Sequence, residues 1–489
     1  MSAALVIGGG FGGMAAALRA RRKGYEVTLI ERCEHLGGRA QVFEDQGFRF
    51  DAGPTVITAP FMFEELFELF DRRLSDYVEL VPLPVWYQFY FQDGQTFNYG
   101  SDLAATLANI RRFNEADADG YLKLLDTSRE IFEIGFEQLA DRGFHRFSTM
   151  AAQIPALLRL KSYRSVWEMV SAHIEDDRLR QAFSIPPLLV GGNPFRTTSI
   201  YALIPWLERK WGVHFPIGGT GALVAALETL MREVGIRIET GTTVRRILSE
   251  AGRACGVKYA NGEKRYADII ISNADAAHLY TNMVDGLSVS ARLKLAGARY
   301  SMGLYVLYLG TSRQYEEVEH HTIWMGPRYR ALLEDIFEHH RLAEDFSLYV
   351  HRPTATDPTF APAGCDSFYI LAPVPNLQGD IDWSREGERL GDAIIDALDD
   401  SLLPGLRESI VTRFHMTPSD FSSRYLSMHG SGFSVAPIFR QSAWFRFHNK
   451  SEVLDNLYLT GAGTHPGAGL PGVLSSAKVV DNLLPEAPS

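Results

Sequence analysis

A run of glycines near the start of the chain limits the possible folds more than any other feature. Leu5-Val6-Ile7 reads as a short apolar strand that breaks into Gly8-Gly9-Gly10-Phe11-Gly12-Gly13, and a helical stretch follows over residues 14–22. Gly24 closes that helix, and a second strand over residues 25–30 ends on Glu31. The pattern is strand, G-x-G-x-x-G turn, helix, strand. Gly8 allows the tight turn, Gly10 leaves bare backbone where a pyrophosphate can approach, and Gly13 lets helix and strand pack closely. The helix N-terminus adds unpaired N–H groups and a partial positive charge. Glu31 is placed to accept hydrogen bonds from ribose hydroxyls and to repel a 2′-phosphate, so FAD or NAD is expected rather than NADP.

The next residues separate those two. Gly37-Gly38-Arg39 follows at once, then two short strands around residues 41–43 and 48–50, then Asp51-Ala52-Gly53-Pro54-Thr55. An NAD domain would run on into another helix. A second glycine pair with an arginine resembles the FAD-binding start of the amine oxidase and carotenoid desaturase superfamily. Arg39 is the candidate to neutralise the pyrophosphate, as a bidentate donor.

At 489 residues the chain is too long for one core, and two or three lobes are expected. Its net charge of -11 and pI near 5.7 argue against nucleic acid as a partner, because phosphate neutralisation needs an excess of Lys and Arg. Cys33, Cys255 and Cys365 lie far apart, which supports neither a disulfide framework nor a metal cluster and suits a reducing cytosol. No stretch reaches the roughly 18 apolar residues of a spanning helix, and the first strand begins too near Met1 for a signal peptide. A cytoplasmic protein, free or attached to a membrane face, is expected.

Along the chain, residues 61–70 read as an amphipathic helix, and strands follow at 78–83 and 87–91 with Asp93-Gly94 as a hairpin turn. From about 101 to 211 the apolar spacing becomes helical, as at 121–134 and 178–189. Within it, Arg142, Arg146, Arg159, Lys161 and Arg164 are interleaved with Phe144, Phe147, Ile154, Leu158, Tyr163 and Trp167, and no acid intervenes before Glu168. Such a stretch can lie in the headgroup region of an anionic bilayer. Gly191-Gly192-Asn193-Pro194 is a turn, and a helix is expected over 199–211. A further helix over 222–234 and strands at 236–239, 243–248, 254–259 and 266–271, with a hairpin at Asn261-Gly262, mark the return of the α/β pattern. Strands at 303–309, 346–351 and 367–372 and helices at 329–337 and 386–401 read as a mixed lobe.

The chain closes on a second glycine constellation. A strand at 457–459 leads into Thr460-Gly461-Ala462-Gly463-Thr464-His465-Pro466-Gly467-Ala468-Gly469-Leu470-Pro471-Gly472, and a helix over 473–484 follows. Bare backbone before a helix N-terminus can stabilise negative charge on a reduced flavin.

These features together resemble the bacterial phytoene desaturases, nearly end to end. The resemblance is carried by residues 25–58, by Leu189-Val190-Gly191-Gly192-Asn193-Pro194-Phe195, and by residues 215–222, 344–349, 441–446 and 461–478. It implies an α/β fold in three parts. A discontinuous Rossmann-like FAD domain takes 1–75, 215–285 and 430–489, a mixed α+β substrate domain takes 76–100 and 286–429, and a helical lobe with a membrane-facing side takes 101–214. With their motif neighbours, the candidate cofactor residues are Gly8, Gly10, Phe11, Gly12, Gly13, Glu31, Arg32, Gly38, Arg39, Pro54, Thr55, Val244, Asn273, Gly461, Ala462, Gly463, Gly469, Leu470, Gly472 and Val473.

The activity implied is FAD-dependent desaturation of phytoene, a lipid-dissolved carotenoid precursor, to lycopene. Oxygen or a membrane quinone, rather than NAD(P), is the expected electron acceptor, because no second βαβ dinucleotide unit is present. Desaturation stopping at neurosporene, another carotenoid-modifying flavoenzyme, an amine oxidase and a non-enzymatic prenyl-binding protein are the alternatives. No general base is legible. His214, His278, His320 and His321 read as structural, and no metal-ligand spacing is present.

Overall fold

The glycine turn forms as its sequence predicts. Ala3–Ile7 and Glu26–Ile30 are parallel neighbours joined through the helix Phe11–Arg22, in a computed structural model that describes residues 2–488. The helix starts three residues earlier than the apolar spacing indicates, because Gly10 is its N-cap. Distant strands complete a five-stranded parallel sheet in the order Arg237–Glu239, Glu26–Ile30, Ala3–Ile7, Ile269–Ser272, Leu457–Leu459. Ile269–Ser272 is buried along its length, the behaviour of a strand covered on both faces.

Helix Phe11–Arg22 packs beside the last helix, Leu470–Leu483, and an ion-pair cluster ties the two to Phe61–Glu68. Buried Arg19 reaches Glu65 at 3.0 Å and Asp481 at 3.2 Å, while Lys478 meets Glu65 at 3.1 Å. The first and last glycine motifs are thereby held side by side.

One expected strand is two. The stretch over 266–271 divides into Lys264–Tyr266, which closes an antiparallel meander with Val244–Glu250 and Arg253–Tyr259, and Ile269–Ser272, which crosses to the parallel sheet. Asp268 marks the crossing, where its carboxylate accepts the Ala3 N–H at 2.9 Å.

The second large sheet has seven strands, in the order Ile410–Met416, Gly303–Thr311, Asp366–Val374, Leu348–His351, His321–Trp324, Val85–Tyr90, Thr96–Gly100. Gly303–Thr311 is buried throughout, and its alternate residues serve two cores. Tyr305, Leu307 and Leu309 pack under the helix Trp383–Asp399, while Leu304, Val306 and Tyr308 face a large aromatic core. Trp383–Asp399 buries Leu390, Ile394 and Leu398 at helical spacing and is N-capped by Asp382.

The lobe between Thr96–Gly100 and the strand Val213–Pro216 is helical, as read, but its helices are shorter than the patterns. Asp117–Phe132 ends in a π-helical turn over Glu133–Gln138. Asp177–Ser184 stops before Pro186 and Pro187, which continue as 3-10 turns, and Ser199–Leu203 is likewise 3-10 before Ile204–Trp211. No helix among the described residues is long and apolar enough to cross a membrane.

Candidate functional site

The glycine motifs meet at one end of a cavity of about 560 Å³. Of the twenty cofactor candidates named from the sequence, all but Gly13 line it. Gly13 lies beneath the wall: a Cβ there would sit 1.9 Å from the Gly8 carbonyl oxygen, so this glycine is a packing requirement of the turn. Gly12 and Gly461, from opposite ends of the chain, both crowd Asn273 Oδ1, with a Cβ at either 2.6 Å from it. Asn273 is thus wedged between the two motifs.

Glu31 is buried, yet both its oxygens are held, accepting the Gly9 N–H at 2.7 Å and the Cys33 N–H at 2.8 Å. This fixes the carboxylate with lone pairs left for a ribose. Arg39 donates to Ser427 Oγ at 2.5 Å, and its Nε has no partner. Burial pulls its pKa down, opposed by Asp275 and Tyr425. A buried guanidinium bonded to a neutral hydroxyl has capacity for an anion. Arg32, by contrast, spends Nη1 on the Ser423 and Arg424 carbonyls, both at 2.6 Å.

Helices Phe11–Arg22 and Leu470–Leu483 both start at the cavity without a side-chain cap. Their free N–H groups, the bare backbone at Gly8, Gly10 and Gly12, the held Glu31 and the anion-ready Arg39 fit a dinucleotide with its pyrophosphate at the first helix. The C-terminal loop is the candidate to hold the flavin end. The run Gly218-Gly219-Thr220-Gly221 is different. Its helix N-terminus is already filled by Asp51, which accepts the Thr220 N–H at 2.9 Å and the Gly221 N–H at 3.3 Å. Burial raises the Asp51 pKa to about 6 despite these bonds.

Several site residues escaped the sequence reading. Arg446 is 2% exposed and donates to four backbone carbonyls: Thr464 at 2.9 Å, Ala462 at 2.6 Å, Gln441 at 3.2 Å and Val435 at 3.2 Å. It clamps the C-terminal glycine loop, and the only sequence signal was its membership of the 441–446 segment. Asp275 lines the cavity with Oδ1 capping Ala277 and His278, and its buried Oδ2 is unpartnered.

Away from the glycines the wall is apolar, including Phe144, Met150, Leu157, Ile185, Leu304 and Phe433. A few polar groups interrupt it. Glu208, 1% exposed, accepts a hydrogen bond from the Tyr87 hydroxyl at 2.8 Å, and both residues line the cavity. Burial lifts the Glu208 pKa to about 7, against the opposing pull of Tyr87 and Arg209. Helix Ile204–Trp211 sets it there, one turn before Val213–Pro216, which pairs with Ile57–Thr58 just after the cavity-lining Pro54 and Thr55. In the sequence Glu208 is one charge in Leu207-Glu208-Arg209-Lys210, indistinguishable from a solvated helix face.

The chain belongs to the family of flavin containing amine oxidoreductases, whose pattern matches residues 11–480. It is 46% identical, over 99% of both chains, to the phytoene desaturase (lycopene-forming) of Pantoea ananas. It is 41% identical, over all of this chain and 95% of the other, to the phytoene desaturase (neurosporene-forming) of Rhodobacter capsulatus. Among solved structures, an oxidoreductase from Methanosarcina mazei superposes with a TM-score of 0.67 at 18% identity, covering 98% of this chain and 99% of that one. Putrescine oxidase bound to putrescine gives 0.66 at 13%, covering 98% of each. At those identities the two structures share the fold alone. The protein is an FAD-dependent oxidoreductase.

Proposed function

We propose that this enzyme desaturates phytoene to lycopene in repeated steps. The observation that carries the reading is a mainly apolar cavity, continuous with the dinucleotide-binding glycines, in a chain 46% identical to a lycopene-forming phytoene desaturase. A hydrocarbon offers nothing to hydrogen-bond, so shape must orient it. The bound flavin supplies the hydride acceptor for each C–C desaturation. The proton on the neighbouring carbon needs a base, and Glu208 is the carboxylate whose proton affinity suits that task near neutrality. Tyr87 holds the carboxylate in position. Oxygen or a quinone then removes the electrons.

Incubation of the holoenzyme with phytoene in liposomes, followed by chromatography, tests the reaction. Lycopene is the expected end product. Accumulation of neurosporene would place the stop one desaturation earlier, and no consumption of phytoene would overturn the reading.

The substrate dissolves in a bilayer, and the helical lobe suits delivery from one. Helix Phe147–Arg159 turns Met150, Gln153 and Leu157 to the cavity and leaves Phe147, Ile154 and Leu158 in solvent, at 57%, 45% and 61% exposure. Arg142, Arg146, Arg159 and Lys161 lie on or beside that helix in the chain and are exposed. An anionic membrane surface on the cytoplasmic side fits this combination. Each basic residue near the surface is worth about 1 kcal/mol. Reversing Arg146, Arg159 and Lys161 to Glu is expected to weaken partition onto anionic liposomes by about 100-fold or more, with flavin content unchanged. Unaltered co-sedimentation would exclude this face as the anchor.

A further inference from the structure

Behind the cavity wall lies a group of side chains that the reaction does not use. His321 and His351 are direct partners across the adjacent strands His321–Trp324 and Leu348–His351, and His320 joins them at the strand end. All three are buried, at 4% exposure for His320, 0% for His321 and 1% for His351. One ring nitrogen from each lies within 4.8 Å of the other two. Four buried ring nitrogens have no hydrogen-bond partner: His320 Nε2, His321 Nε2, and both of His351. Native interiors satisfy almost all such atoms, so this concentration calls for an occupant.

We infer that His320, His321 and His351 bind one first-row divalent transition ion of the zinc type, with water completing the coordination. The outer contacts are those expected of metal-binding imidazoles. His320 Nδ1 is held by Thr356 Oγ1 at 2.7 Å and His321 Nδ1 by the Tyr349 hydroxyl at 2.7 Å, which fixes both rings and leaves both Nε2 atoms free. Phe215 packs on His320 at 4.5 Å and on His351 at 6.0 Å, giving the site an apolar shell. The nearby Arg352 does not leave an uncompensated charge, because Asp366 pairs with it at 3.2 Å. A set of three imidazoles without carboxylate or thiolate selects zinc, copper or nickel over magnesium or calcium. The ion would join neighbouring strands of the large sheet, and through His321, Tyr349 and Thr55 Oγ1, 2.5 Å from the Tyr349 hydroxyl, it would stiffen the cavity wall. This inference does not depend on the substrate proposed above.

The test uses untagged holoenzyme purified without chelator, assayed for zinc, copper, nickel and flavin on the same sample. About one ion per chain is expected, as purified or after dialysis against Zn²⁺, and H351Q should lose the ion while keeping its flavin. The wild type gives a second reading that does not require the variant to fold. Stripping with a strong chelator should lower its melting temperature, and Zn²⁺ but not Mg²⁺ should restore it. A wild type that stays substoichiometric after zinc loading, with a melting temperature indifferent to chelator and to Zn²⁺, would overturn the inference in favour of a buried water. Full metal content in H320Q and H351Q would overturn it as well.

Discussion

Gly10→Val should yield folded protein without yellow colour. Gly10 has φ -74° and ψ 172°, a conformation open to any residue, so the substitution does not strain the turn. What it meets is the Asn273 amide: a Cβ at Gly10 stands 3.1 Å from Asn273 Nδ2, so that amide must give by a few tenths of an ångström, in the cavity wall at the first helix N-terminus. The branched side chain would occupy the place of the pyrophosphate and remove at least two charge-assisted hydrogen bonds. FAD affinity should fall on the order of 100-fold or more. Gly13→Ala supplies the contrast: its Cβ meets the Gly8 carbonyl oxygen itself, so that variant should fail to fold. The flavin-to-protein absorbance ratio, read beside circular dichroism, separates the two. A Gly10→Val protein with full flavin content would refute the placement of the phosphates.

Glu208→Gln should cost about 10²- to 10⁴-fold in turnover while FAD and fold are retained. Glutamine keeps the shape and can still accept from Tyr87, but it cannot take up a proton. The wild-type rate should rise with pH through about 7, because the carboxylate must be ionised to act as a base. Tyr87→Phe removes a hydrogen bond that favours the ionised form, so it should move the rising limb upward by about one pH unit. A purely structural Glu208 would not give that shift. The same group bears on stability with a definite sign. Its folded-state pKa lies above the ordinary 4.5, so its contribution is complete below 4.5 and is lost as pH rises through about 7. Wild-type turnover in Glu208→Gln, with an unchanged pH profile, would remove Glu208 from the chemistry.

The glycine part of the cavity wall was legible because its requirements are local. A turn that must bring bare backbone to a phosphate has to spell glycine at fixed offsets, and an acid at the next strand tip follows from strand length. The C-terminal loop was legible for the same reason. The substrate end was not, because what matters there is burial decided by distant segments. Glu208 becomes unusual only when the cavity removes its water, and Arg446 only when four carbonyls from 435–464 gather around it. His320 and His321 read as structural singly. Their meeting with His351 depends on a strand pairing between short segments, and His321–Trp324, only four residues long, left no periodic signal. Ile410–Met416 went unread because an edge strand with half-exposed faces lacks clear alternation. The break at Asp268 was hidden because Lys264–Tyr266 and Ile269–Ser272, strands of two different sheets, are separated by only Ala267 and Asp268.

The central claim is that phytoene delivers its electrons directly to the flavin held between the two glycine motifs. Anaerobic mixing of the holoenzyme with phytoene-loaded liposomes, followed in the visible spectrum, tests it most directly. The account predicts that the oxidised-flavin band bleaches in a single turnover, that it returns on admission of oxygen or a quinone, and that desaturated product matches the flavin reduced. A band that stays oxidised while turnover consumes stoichiometric NAD(P)⁺ would contradict it.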